Sequence, residues 1–108
     1  MTVEQLASSL GFTPLALPDK DREVVGAYVG DLLSWVMGRA ASDSVWVTIM
    51  SNVNVIAVAT LVDVACIVFA EGVTPDEELV KLATSKGVNL LVSNSPAYET
   101  ALLLSELV

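Results

Sequence analysis

Histidine is absent from the 108 residues, and cysteine occurs once, as Cys66. Without imidazole there is no histidine general base, no histidine-ligated haem and no structural zinc site of the usual kind, and one thiol cannot close an internal disulfide. Bases are scarce too. Five Lys and Arg stand against thirteen Asp and Glu, a formal charge of −8 with a sequence pI near 4.1. So acidic a chain lacks the footprint of a nucleic-acid binder and is repelled by an anionic membrane. The six glycines and four prolines are scattered singly, which leaves no linker, repeat or low-complexity run. No Gly-rich phosphate loop, GxSxG turn or metal-spaced cluster occurs. These absences argue against an enzyme and imply no cofactor and no metal.

Apolar residues, by contrast, are abundant: 54% of the chain, with a mean hydropathy of +0.66. That excludes intrinsic disorder, because burial can offset the ordering entropy, and the length suits a single domain over 1–108. The one stretch resembling a membrane span, Val53 to Ala70, carries Asn54 and Asp63 and no flanking base between Arg39 and Lys81. An acid near the middle of a span costs about 2.5–3.5 kcal/mol on insertion scales, so the stretch reads as two buried elements in series. Met1 to Gln5 has neither a basic start nor an apolar run, and a cytoplasmic location is expected.

Local signals give an alternating order of elements. Thr2 and Gln5 form a capping box for a helix to Leu10 that Gly11 stops. Phe12 to Leu17, holding Pro14, reads as an edge strand, and Pro18 to Glu23 as a charged surface loop. Val24 to Val29 reads as a strand, after which Gly30-Asp31 opens a helix to Met37 with Gly38 as its stop. A turn at Ser42-Asp43-Ser44 precedes a strand over Val45 to Met50. Val53 to Val62 is too uniformly apolar for periodicity to decide, but Asn52 can cap it and the neighbours alternate, so it reads as a buried helix. Ala65 to Ala70 is a buried strand. Thr74 caps a helix to Lys86, with Pro75 in its first turn, Glu77 closing a capping box, a Glu77–Lys81 pair and Gly87 as its end. Val88 to Val92 is a further strand, and Ser95-Pro96 starts a helix to the C-terminus. The fold class implied is α/β, three layers around a mostly parallel sheet of about five strands.

Ligands in such sheets bind beyond the carboxyl ends of the strands. The turns there hold Gly30 and Asp31, Asn52 and Asn54, Glu71 and Gly72, and Ser93 and Ser95. Small hydrogen-bonding residues at helix N-termini can hold a small polar ligand or an anion through backbone N–H groups. Capping alone also explains Asn52, Thr74 and Ser95, and no Lys or Arg accompanies the turns. Asp31 and Glu71 could pair for acid–base work; the alternative is that Asp31 serves the first turn of its helix and Glu71 is a solvated loop residue. Cys66, mid-strand among apolar neighbours, reads as a buried, unreactive thiol. Trp35 and Trp46 read as packing residues.

The run Val25-Gly26-Ala27-Tyr28-Val29-Gly30-Asp31-Leu32-Leu33-Ser34-Trp35-Val36-Met37, followed by Val45 to Ile49, resembles the DRTGG domain family, in particular small stand-alone members associated with iron-only hydrogenase components. The resemblance continues through Asn54 to Ala59, Ala65 to Gly72, Pro75 to Glu78 and Ser93 to Pro96. Two departures stand out: Val68 to Gly72 lacks the Thr-Gly-Gly ending, and Asn52 occupies a position where close relatives have histidine. The resemblance implies a three-layer fold similar to the N-terminal domain of HPr kinase, a regulatory or dimerising role, no catalytic residues, and redox or hydrogenase-related proteins as partners.

Two functions follow. The leading one is a non-catalytic regulatory or assembly module, homodimeric through the C-terminal helix, whose Ala97, Ala101, Leu104 and Val108 form one apolar stripe while Leu102, Leu103 and Leu107 lie outside it. The alternative is a sensor of a nucleotide or metabolite bound at the strand-end turns. An enzyme using Asp31 and Glu71 ranks below both.

Overall fold

A computed structural model describes residues 1–108. Helix α1 (Val3–Leu10) and strand β1 (Thr13–Ala16) lead to β2 (Ala27–Val29). There follow α2 (Leu33–Arg39), β3 (Val45–Thr48), α3 (Val53–Val62), β4 (Cys66–Phe69), α4 (Glu77–Lys86), β5 (Leu90–Val92) and α5 (Ala97–Ser105). The sheet runs β1-β5-β4-β3-β2; β2 to β5 are parallel and β1 closes the β5 side antiparallel. This is the expected α/β architecture.

Each parallel strand pairs with the next in sequence, so right-handed crossovers stack α2, α3 and α4 on one face. Helices α1 and α5 cover the other. Alternation along the strands divides the interior accordingly. Trp46, Ile67, Phe69, Leu90 and Val92 enter the core beneath α2, α3 and α4, whereas Val45, Val47, Cys66, Val68 and Leu91 enter the core beneath α1 and α5. Strands β3, β4 and β5 are buried along their whole lengths, which is why they read as unbroken apolar runs. Val53 to Ala70 is helix, turn and strand, and no helix is long and apolar enough to cross a membrane.

Helix ends follow capping chemistry, sometimes with a different residue from the one expected. The Thr2–Gln5 box, the Asn52 cap and the Gly11 and Gly87 stops are all present. Thr74, however, does not cap α4. Asp76 does, accepting the Leu79 N–H at 2.9 Å, so Pro75 precedes the helix; aspartate is the stronger cap, and its charge suits the helix dipole. Helix α2 starts at Leu33 rather than at Gly30-Asp31, and Gly38 lies inside it. Only Val36 of α2 is buried, so Trp35 is half exposed, with the Arg39 guanidinium 3.9 Å above its ring, instead of packed in the core. Trp46 is fully buried, as expected.

The loop expected to be a solvated charged segment holds an inward-facing residue. The Arg22 side chain is 19% exposed. Its Nε and Nη2 donate to Asp43 Oδ1 at 3.1 and 2.7 Å. Its Nη1 donates to Asp63 Oδ1 at 2.9 Å and Nη2 to the Asp63 carbonyl at 2.7 Å. Asp43 and Asp63 have φ of 64° and 66°, in the turns that enter β3 and β4. One guanidinium therefore ties the approach to β2 to two left-handed turns. Desolvation opposes its charge, but the bonds to Asp63 and then Asp43 outweigh it and raise its pKa above the ordinary value. Arg22→Gln leaves both turns without that tie and should cost about 2 kcal/mol, the scale of a charge-assisted bond reduced because both carboxylates are half in water. A urea titration should show a lower midpoint at the same slope; an unchanged midpoint shows that the clasp adds no stability.

Cys66 is fully buried, and burial pushes its thiol up to about 12, with the Arg22 charge acting in the opposite direction. The folded value lies above the ordinary 9.0, so this thiol's contribution to stability is complete below 9 and is lost as pH rises toward 12. Stability should fall more steeply with pH in that window for the wild type than for Cys66→Ala, and thiol reagents should label the native protein slowly. Equal slopes together with fast labelling would contradict this assignment.

Candidate functional site

Parallel strands share their carboxyl ends, so the turns after β2, β3, β4 and β5 stand on one rim. On the β2–β3 side, Gly30 donates its N–H to the Val47 carbonyl at 3.1 Å, and its own carbonyl accepts the Trp46 Nε1–H at 2.8 Å. A Cβ at Gly30 would lie 2.9 Å from the Tyr28 ring, so a larger residue here forces that ring to shift. The Asp31 carboxylate accepts the Thr48 hydroxyl at 2.7 Å and the Ile49 N–H at 3.0 Å. It ties the β2–α2 turn to the end of β3 and does not serve the first turn of α2. Asn52 caps α3 through the Asn54 N–H at 3.0 Å, which places Asn54 in the first turn of that helix.

On the β4–β5 side the turns are joined. The Glu71 and Gly72 N–H groups donate to the carbonyls of Ser95 and Ser93, each at 2.9 Å. Glu71 Oε2 accepts the Ala97 N–H at 2.8 Å. The side chain expected to be solvated thus satisfies the N-terminus of α5, where Pro96 and Ser95 supply no side-chain cap. Ser93 Oγ lies 2.7 Å from Thr100 Oγ1, both groups buried, and accepts the Ser95 N–H at 3.3 Å. Glu71 holds a φ of 61°. Left-handed backbone costs a non-glycine residue roughly 1–2 kcal/mol, which these bonds offset locally.

The eight candidate residues therefore fall into three groups. Gly30 and Asp31 join the end of β3, Asn52 and Asn54 begin α3, and Glu71, Gly72, Ser93 and Ser95 form one clasp. Asp31 and Glu71 have separate partners, so they are not arranged as an acid–base pair, and no three acids or thiols converge on a metal geometry. Helices cross to one face after β2, β3 and β4 and to the other after β5, which makes the β4–β5 junction the expected crevice. The clasp occupies that junction. Of the two surface depressions, one of about 380 Å³ runs along α5 from Ser95 of the clasp, and the other, of about 260 Å³, lies between α3 and α4 with Lys86 among its lining residues. Sequence reading missed the Glu71–Ala97 bond because nothing local marks a cap supplied from another turn.

No family model matches the chain, and no curated protein does. Among solved structures, the chain is similar to the crystal structure of the CBS and DRTGG domains of the regulatory region of Clostridium perfringens pyrophosphatase, complexed with its activator diadenosine tetraphosphate. The TM-score is 0.77 at 11% identity, over 95% of this chain. The chain spans 45% of that structure's length. At this identity the likeness concerns the fold, and it supports a DRTGG-like architecture.

Glu71→Ala removes the only side-chain acceptor at the start of α5 while leaving the backbone clasp. The expected cost is about 1 kcal/mol, the usual worth of a helix cap with a favourable charge. Hydrogen exchange at the Ala97 amide should quicken relative to amides in the middle of α5. Unaltered exchange there would show that the carboxylate does not hold the helix.

Proposed function

We propose that the chain is a non-catalytic regulatory or assembly module that works as a homodimer. The observation that carries this reading is the tied rim. At the place where a sheet of this topology takes a ligand, the polar groups already satisfy one another, and the turns contain no lysine or arginine to receive a phosphate. Likeness in fold to a regulatory region supports the same role. The dimer reading draws on α5 and the turn after it, where Leu102, Leu103 and Leu107 are exposed beyond the buried Leu104. A cytoplasmic setting accords with the single buried thiol.

A second reading, a sensor of a nucleotide or other small metabolite at the rim, is favoured by one finding: the similar pyrophosphatase region was crystallised with a dinucleotide activator. Thermal unfolding with diadenosine tetraphosphate, adenine nucleotides, acetyl phosphate and divalent ions separates the two. A ligand at 100 times its dissociation constant adds about 2.7 kcal/mol, which raises the melting temperature of a domain this size by roughly 10 °C or more. The module reading expects no such rise with any of them. Light scattering at tens of micromolar should return twice the 11.4 kDa chain mass, and Leu103→Glu should lower it; a wild-type mass of one chain would overturn the dimer.

A further inference from the structure

One row on the outside of α5 has leucines in its middle and a carboxylate at each end. Glu99, Leu102, Leu103 and Glu106 stand at i, i+3, i+4 and i+7 and line the same depression along the helix. Both leucines are exposed, and so is Tyr98, one turn before Leu102. No base of the chain answers the two acids. Lys20 pairs with Glu4, Arg22 with Asp43 and Asp63, and Lys81 with Glu77. Arg39 lies over Trp35 and Lys86 lines the α3–α4 groove, both on the opposite face of the sheet. Glu106 is moreover the C-cap of α5, whose last turn holds no base. A helix C-terminus is the negative end of its dipole and favours a cation, so a carboxylate there is unfavourable until a positive group joins it.

We infer that α5 docks a basic amphipathic helix of a partner protein, with large apolar side chains against Tyr98, Leu102 and Leu103 and with lysine or arginine beside Glu99 and Glu106. This rests on the assembly-module part of the reading above and is independent of its homodimer part. Helical spacing sets the match. Seven residues separate Glu99 from Glu106, about 10.5 Å along the axis, and basic residues seven apart on a facing helix reproduce that span. The leucines then form the apolar middle of the contact and the ion pairs its polar rim. A net charge of −8 draws a cationic segment toward this surface. The cation at Glu106 also relieves the mismatch with the helix dipole, which no uncharged partner does. A second copy on the same leucines brings Glu99 and Glu106 toward their own counterparts, so the basic helix displaces it.

The test uses the full chain and a fluorescent synthetic helix of about fifteen residues, with leucines along one face and lysines on both sides of them, read by anisotropy. One control scrambles its order so that the leucines leave that face, and another replaces every lysine by glutamate. The lysine helix should bind, more weakly as salt rises because ions screen the rim pairs, and should slow amide exchange in α5. Glu99→Lys combined with Glu106→Lys should weaken it by about tenfold or more and let the glutamate helix bind instead. That gain also proves that the variant folds. Leu103→Ala should weaken it by roughly tenfold, as expected of an anchor. Absence of binding, equal binding of the scrambled peptide, or unchanged affinity in the charge-reversed chain overturns the docking site. Light scattering on the same samples keeps the dimer separate. A single-chain mass for free protein that binds the lysine helix overturns the homodimer alone, and a dimer that ignores the lysine helix overturns the docking site alone.

Discussion

Three adjacent strands, β3, β4 and β5, that are buried on both faces set the terms for everything else in this molecule. A sheet so enclosed must be covered by helices on each side, so the connections become crossovers and the strands become parallel. It must also be apolar on both faces at once, which accounts for the high hydropathy and for a buried free cysteine at the start of β4. Charge is then kept out of the strands and their two cores, and charged side chains tie the turns at the two ends of the strands. At the end where strands begin, Arg22 gathers the turns that enter β3 and β4. At the end where they finish, Asp31 and Glu71 each accept backbone N–H groups from a neighbouring turn.

The elements were largely legible because local chemistry marks them: the Thr2–Gln5 box, the Asn52 cap, glycines after α1 and α4, and unbroken apolar runs for β4 and β5. Errors arose where two local signals competed. Thr74 and Asp76 are both plausible caps two residues apart, and only the position of the Leu79 N–H decides between them. Gly30-Asp31 resembles a helix start, but the Asp31 carboxylate is taken by Thr48 and Ile49, which are distant in sequence and adjacent in the sheet. Trp35 follows the same rule. Its helix buries a single residue, and no pattern seven residues long reveals which face that is.

The candidate site was legible as a location and not as an arrangement. Parallel topology alone dictates that the four turns share a rim, and that much can be derived from the order of elements. Which turn bonds which depends on strand order and on left-handed backbone at Glu71, a residue that gives no sign of adopting it. Arg22 was invisible for a related reason: its two acceptors are 21 and 41 residues away in the chain.

The clasp also bears on what this rim can bind. An anion approaching the start of α5 meets a carboxylate already seated 2.8 Å from the Ala97 N–H. That competitor is intramolecular, and a tethered group acts at an effective concentration of the order of millimolar or more. A weakly bound metabolite does not displace it under such conditions unless it brings contacts that Glu71 lacks. The two basic side chains outside any ion pair, Lys86 and Arg39, belong to the α3–α4 groove and to the Trp35 ring, and neither bonds to the β4–β5 clasp. Displacement would in addition leave Glu71 in a left-handed conformation without the side-chain bond that helps to offset it. The electrostatics of the rim therefore favour a fixed structural joint over an exchangeable anion site, and the uncommitted apolar surface lies along β2 and α5 instead.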